Sequence, residues 1–331
     1  MFRQNKDWET RESAFAAFAT GPLTDFWRQR EEAEFTGVDN VPVRYVRFHA
    51  ASHDRVIVVC PGRIESYVKY AELAYDLFHL GFDVLIIDHR GQGRSGRMLE
   101  DSHRGHVVNF SDYVDDLAAF WEQEVAPGPW RKRYILAHSM GGAIATLFVQ
   151  RHPHASCDAI ALCAPMFGII IHLPDWMVRP LLDWAEGYPR IRENYAIGTG
   201  RWHALPFAIN TLTHSRERYR RNLRFYADEP QLRVGGPTWH WVREGILAGE
   251  QVLAGAESDT SPMLIIQAED ERVVDNRMHD RFCEIRAAAG HPCEGGKPLV
   301  IKGAYHEILF EEDAMRSVAL SAIVDFFDRH N

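Results

Sequence analysis

A chain of 331 residues with 46% apolar and 25% charged residues can bury a sizeable core, as one large α/β domain or as two smaller ones. Its net charge of −9 argues against a nucleic-acid binder that works through bulk positive charge. No run approaches the roughly eighteen apolar residues that a bilayer span requires, and the first residues lack the apolar stretch of a secretory signal.

The five cysteines (Cys60, Cys157, Cys163, Cys283 and Cys293) form no C-x-x-C pair and no zinc spacing. They read as free thiols in a reducing compartment, so a cytoplasmic protein holding no metal is expected.

In chain order, residues 1–35 read as an amphipathic helical segment carrying Phe15, Phe18, Phe26 and Trp27 among charged neighbours. Val43–His49 alternates like a strand. Arg55–Cys60 is a continuous apolar run ended by Pro61-Gly62, which suits a central strand buried on both faces. Tyr67–Leu80 has helical spacing and stops at Gly81; a strand over Phe82–Asp88 and a helix over Phe110–Glu124 follow. Tyr134–Ala137 is a short apolar strand running into a helix of Gly, Ala, Ile, Leu and Phe that ends before Pro153. Ala159–Cys163 is the next strand. Residues 166–240 then hold Trp, Pro and Arg in irregular order with no clear strand. Alternation resumes with strands over Pro262–Gln267 and Pro298–Lys302 and helices over Arg277–Ala289 and Asp313–Arg329. Strands alternating with helices predict a doubly wound, mostly parallel sheet. The expected organisation is a single domain whose core spans 36–165 and 241–331, with an inserted cap over 166–240.

The most informative stretch is Ala137-His138-Ser139-Met140-Gly141, set between a buried strand and a small-residue helix. This is the context of a nucleophile elbow, where a sharp turn lifts a serine hydroxyl clear of the sheet edge. Gly141 meets the need for a small residue after the serine, and Ala137 nearly meets it before. A serine hydroxyl needs a base, and the base needs an orienting acid. Of the seventeen histidines, His306 alone follows the last strand in the serine–acid–histidine chain order of this architecture. The acid should follow the strand over Pro262–Gln267. Glu271, three past Ala268 and followed by Arg-Val-Val, is the first choice, with Asp275 and Asp270 as alternatives. Two backbone donors should stabilise the oxyanion: the amide of Met140, directly after the nucleophile, and that of Arg63 in the loop after Cys60.

Gly91-Gln-Gly93-Arg-Ser-Gly96 is literally G-x-G-x-x-G after a strand, with Asp115 and Asp116 about twenty residues further on, as in a dinucleotide fingerprint. The next stretch, 97–108, is polar and loop-like, so no helix opens on the third glycine to receive a pyrophosphate. No nucleotide cofactor, and no other cofactor, is expected.

Asp88-His-Arg-Gly-Gln-Gly-Arg-Ser95, Ala137-His-Ser-Met-Gly-Gly142 and the late Glu271 and His306 together resemble the α/β-hydrolase superfamily branch that contains monoacylglycerol lipases. From Lys6-Asp-Trp-Glu-Thr10 through Pro61-Gly-Arg-Ile-Glu-Ser-Tyr-Val-Lys-Tyr70 to Gly303-Ala-Tyr-His-Glu-Ile-Leu-Phe310, the whole chain is similar to bacterial lysophospholipases. Ala137 and Glu271 depart from the glycine and aspartate usual in the superfamily. The resemblance implies the α/β-hydrolase fold and hydrolysis of the remaining acyl ester of a lysophospholipid. It also implies peripheral attachment to the cytoplasmic face of the inner membrane and acyl transfer between lipids.

The residues themselves say less about the lipid. Met166, Phe167 and Trp176 belong to an apolar, aromatic stretch able to line an acyl slot. Arg216–Arg224 concentrates five arginines in nine residues, from which Arg218 and Arg221 are candidate contacts for a head-group phosphate or an anionic membrane surface. A monoacylglycerol lipase or general carboxylesterase would share the triad. A cofactor-free peroxidase of the same fold or a non-catalytic membrane-binding relative are the remaining readings.

Overall fold

The computed structural model describes residues 7–171 and 173–331. Two short helices, α1 (Phe15–Thr20) and α2 (Pro22–Trp27), bury Phe15, Leu23 and Phe26. The helix predicted to run through residue 35 does not: Glu31–Thr36 is strand β1, paired antiparallel with β2 (Pro42–Phe48). Glu and Ala favour helix locally, but this segment caps the edge of β2. Phe35 turns inward, and Glu31 and Glu34 pair across the strands with Arg47 at 2.6 Å and Arg44 at 2.7 Å. Residues 1–6 of the predicted helical segment lie outside the described residues.

Next come β3 (Arg55–Cys60), α3 (Ala71–His79), β4 (Asp83–Ile87), α4 (Phe110–Phe120), β5 (Lys132–His138), α5 (Met140–Arg151) and β6 (Ala159–Cys163). An inserted segment carries α6 (Asp175–Glu186), α7 (Pro189–Arg192), α8 (Arg216–Asp228) and α9 (Trp239–Gly255). The chain closes with β7 (Met263–Ala268), α10 (Asn276–Ala288), β8 (Leu299–Ile301) and α11 (Asp313–Arg329). Helix α9 covers residues to which the periodicity assigned no element; it packs along α5.

Among the described residues the strands form one sheet in the order β1-β2-β4-β3-β5-β6-β7-β8, antiparallel at β1, β2 and β4 and parallel from β4 onward. Strands β4 and β6 are buried along their whole length, which is why they read as unbroken apolar runs. Parallel strands end on the same side, so the loops after β3, β5, β7 and β8 meet at one sheet edge. The five cysteines are unpaired, four of them buried. No described helix is long and apolar enough to cross a membrane.

The G-x-G-x-x-G stretch folds as a loop around Asp88, not as a helix start. The buried carboxylate accepts the amides of Tyr67 (2.6 Å) and Arg94 (2.8 Å) and the hydroxyl of Ser66 (2.9 Å). A Cβ on Gly93 would lie 2.1 Å from that carboxylate, and Gly93 has φ of 56°, so only glycine fits.

Candidate active site

The tight turn after β5 holds Ser139 at φ 50° and ψ −117°, a strained conformation for a residue with a Cβ, at a cost on the order of 1–3 kcal/mol. Its neighbours enforce the turn. The Ser139 amide donates to the Cys163 carbonyl at 3.1 Å, and its own carbonyl accepts the amides of Gly142 and Met166, each at 2.9 Å. A Cβ on Gly141 would sit 2.1 Å from the Cys60 carbonyl oxygen, so glycine here lets α5 approach β3. One methyl is tolerated on the other side, where Ala137 is fully buried.

Ser139 Oγ lies 2.9 Å from His306 Nε2, and His306 Nδ1 lies 2.8 Å from Glu271 Oε2. The other oxygen of Glu271 accepts the amides of Arg272 (2.9 Å), Val273 (2.8 Å) and Val274 (3.3 Å). Burial pushes the Glu271 carboxyl upward, but the hydrogen bond and charge of His306 and these amides outweigh it. They hold the carboxyl below its ordinary range. The alternatives do other things. Asp275 caps α10, accepting the Arg277 amide at 3.0 Å and pairing with the Arg277 guanidinium at 2.7 Å. Asp270 is exposed, and its amide donates to Ala304.

In the loop after β3, the amide of Gly62 is spent on Glu65 Oε2 and that of Ile64 on Gln92 Oε1. Among the described residues, the Arg63 and Met140 amides are spent on no acceptor. Met140 opens the twelve-residue helix α5, whose N-terminus favours negative charge.

The cap changes the picture drawn for the substrate contacts. Met166 is buried, its amide bonded to Ser139. Phe167 packs into the core against Phe282 and His279, with ring centroids 4.7 and 5.7 Å away, and is buried. Trp176 is 77% exposed on α6. Arg218 does not face a ligand: its guanidinium is fully committed to Glu72 (2.8 Å, bidentate), Asp313 (2.7 Å) and Glu12 (2.9 Å). Arg221 lies over the Phe225 ring, and the cavity it shares with Arg218 and Lys69, about 10 Å³, admits no phosphate.

An apolar cavity of about 510 Å³ was not foreseen; it is lined by Ile169, Ile171, Leu182, Ile197, Trp239 and Val242. Its wall is tied to the acid loop: Ile169 bridges Val274, and the Ile170 amide donates to the Val273 carbonyl at 3.0 Å. A more polar groove of about 580 Å³ between Arg94, Arg97 and Glu229 contains none of the site residues. Sequence reasoning also missed the buried Glu65, Lys69, His138 and Glu307. Their signal was available: each is ionisable and lies next to, or a few residues from, Arg63, Ser139 or His306.

A mostly parallel sheet, a serine on a strained strand-to-helix turn and a histidine–carboxylate pair in hydrogen-bonding line define an α/β-hydrolase of the serine type. Residues 51–313 match the family described as serine aminopeptidase, S33. The chain is 80% identical over 331 residues to lysophospholipase L2 of Escherichia coli (strain K12), covering 100% of this chain and 97% of that one. It is 32% identical to the probable lysophospholipase L2 of Haemophilus influenzae, over 96% of this chain and 98% of that one. Among solved structures, a soluble variant of monoglyceride lipase from Saccharomyces cerevisiae shares the fold, with a TM-score of 0.69 at 16% identity over 91% of this chain and 95% of that one. The chain therefore belongs to the serine aminopeptidase S33 family of α/β-hydrolases and, within it, to the group of lysophospholipase L2 proteins.

Proposed function

We propose that this protein hydrolyses the acyl ester of lysophospholipids through an acyl-enzyme on Ser139. The observation that carries this reading is the hydrogen-bonded line Glu271–His306–Ser139 in a chain 80% identical to a lysophospholipase, with an apolar cavity whose wall bonds to the acid loop at Val273 and Val274. His306 takes the proton as Ser139 attacks the ester carbonyl, Glu271 orients the imidazole, and the amides of Arg63 and Met140 stabilise the oxyanion. The glycerophospho-alcohol leaves with the proton from His306. Water, activated by the same imidazole, then releases the fatty acid, and a lipid hydroxyl in place of water gives acyl transfer.

The cavity's volume and lining suit an acyl chain. For the head group, Arg63 fits better than the cap arginines. Its guanidinium contacts the Gly235 carbonyl (3.0 Å) and the Trp241 ring, and among the described residues it pairs with no carboxylate. Peripheral attachment to the cytoplasmic face of the inner membrane draws support from Trp176, Trp184, Tyr188 and Ile197, apolar side chains between 51% and 77% exposed on the cap.

The test is a comparison of purified protein on lysophosphatidylethanolamine and on monoacylglycerol of the same chain length. The lysophospholipid should be preferred, and Arg63→Gln should erase the preference by raising its KM. Equal rates in the unmodified protein would overturn the lysophospholipid reading in favour of a general lipase. Ser139→Ala should abolish both activities, by about a millionfold, together with labelling by a fluorophosphonate.

A further inference from the structure

The turn that carries Ser139 is preceded by a histidine with no part in the mechanism above. His138 is buried, and both ring nitrogens face acceptors: Nδ1 lies 3.2 Å from Glu65 Oε2 and Nε2 lies 3.2 Å from the backbone carbonyl of His306. A neutral imidazole donates from one nitrogen only, so serving both acceptors takes the doubly protonated ring. Glu65 Oε2 also accepts the Gly62 amide and the Tyr70 hydroxyl, each at 2.5 Å. Its Oε1 accepts from Lys69 Nζ at 2.6 Å, and Lys69 reaches on to Glu307, the neighbour of His306, at the same distance. One buried carboxylate thus touches the oxyanion loop directly, and reaches the loop of the general base through His138 and through Lys69.

Resting on the proposed roles of Ser139, His306 and Arg63, we propose that Glu65 is a positioning residue of this site. It holds the oxyanion loop through Gly62 and, by keeping His138 doubly protonated, fixes the backbone of His306. Turnover therefore survives only while His138 carries both protons. The charged groups facing His138 are Glu65 and Lys69, from the loop after β3 and the turn before α3, and Glu307, from the loop before α11, where the His306 ring also packs against it. Burial disfavours the imidazolium and Lys69 opposes it, but Glu65, by charge and hydrogen bond, and Glu307 outweigh both and hold His138 above its ordinary value. Burial likewise opposes the Glu65 carboxylate, yet the charges of Lys69 and His138 keep it well below its ordinary range. The sign follows from the linkage. The imidazolium's contribution is complete below the ordinary histidine value and is lost as pH rises through the raised value in the fold. Loss of the His138 proton therefore limits turnover on the alkaline side.

The experiment measures kcat and KM on a soluble ester between about pH 6 and 10 for the unmodified protein, Glu65→Gln, Glu65→Asp and His138→Gln. Unfolding midpoints are taken at each pH. In the unmodified protein kcat should fall about tenfold per pH unit above the His138 value, with KM nearly constant. Glu65→Gln should move that fall to lower pH by about one unit or more. Glu65→Asp should restore the limb toward its original position, and His138→Gln should remove it while lowering kcat. Nitrogen-15 NMR of the imidazoles in Ser139→Ala protein should find His138 doubly protonated at neutral pH, and this readout needs neither turnover nor a folded Glu65 variant. A neutral His138, a kcat flat to alkaline pH, or an alkaline limb unmoved by Glu65→Gln overturns the proposal. Residual turnover in Ser139→Ala would instead overturn the site reading beneath it.

Discussion

The turn around Ser139 and the cap above it are built on opposite terms. From Tyr134 through the first turns of α5 every residue is buried, and backbone atoms approach closely at Gly141. The cap leaves Trp176, Trp184 and Ile197 more than half exposed and is tied to the core by long charged side chains, above all Arg218. A catalytic atom must be held to a fraction of an ångström, which dense packing around a strained turn achieves. A lipid must enter and leave, which an apolar cavity under a loosely covered segment allows. Precision and access are thus divided between two regions of one chain.

The sharpest way to break this division is at the acid. Glu271→Gln should lower kcat about 10⁴-fold with little change in KM, because the imidazole loses its orienting charge; steady-state kinetics on a soluble ester check it. Next in size is Arg218→Ala. Removing it takes the guanidinium partner from Asp313, which keeps only the Glu12 amide, and leaves Glu72 to Arg11 and Arg316; this should cost about 3 kcal/mol, read from denaturant unfolding. If the variant instead kept its stability and lost only lysophospholipid affinity, Arg218 would be a head-group contact after all. A smaller effect is expected at the cavity: Ile171→Trp should reduce kcat/KM for long-chain substrates about tenfold and spare short esters. The smallest is Asp275→Ala, which removes the cap of α10 for about 1 kcal/mol and should leave kcat nearly unchanged. A loss of turnover there comparable to that of Glu271→Gln would move the acid role to Asp275.

Much of this was legible along the chain because it is local. The apolar runs of β3, β4, β5 and β6 and the Gly141 that admits α5 each depend on near neighbours in sequence, and His306 was singled out by its place after the last strand. The β1 error has the opposite cause. Glu31–Thr36 has the composition of a helix, and only the open edge of β2, reached through the chain's return, makes it a strand. Choosing Glu271 over Asp275 and Asp270 was likewise beyond composition. All three are acidic residues in one loop, and what separates them is a 2.8 Å approach to a histidine 35 residues away.

By itself, then, the sequence determined the sheet's alternation, the strained turn and the candidate nucleophile and base, since each follows from periodicity or from the steric demand of a few adjacent residues. Only the tertiary structure decided which arginines are spent inside the protein, where the apolar cavity lies, and that His138 stands between two acceptors. Those are facts about side chains brought together from distant positions, and the energy of a charge or a cavity depends on everything around it rather than on the residue that carries it.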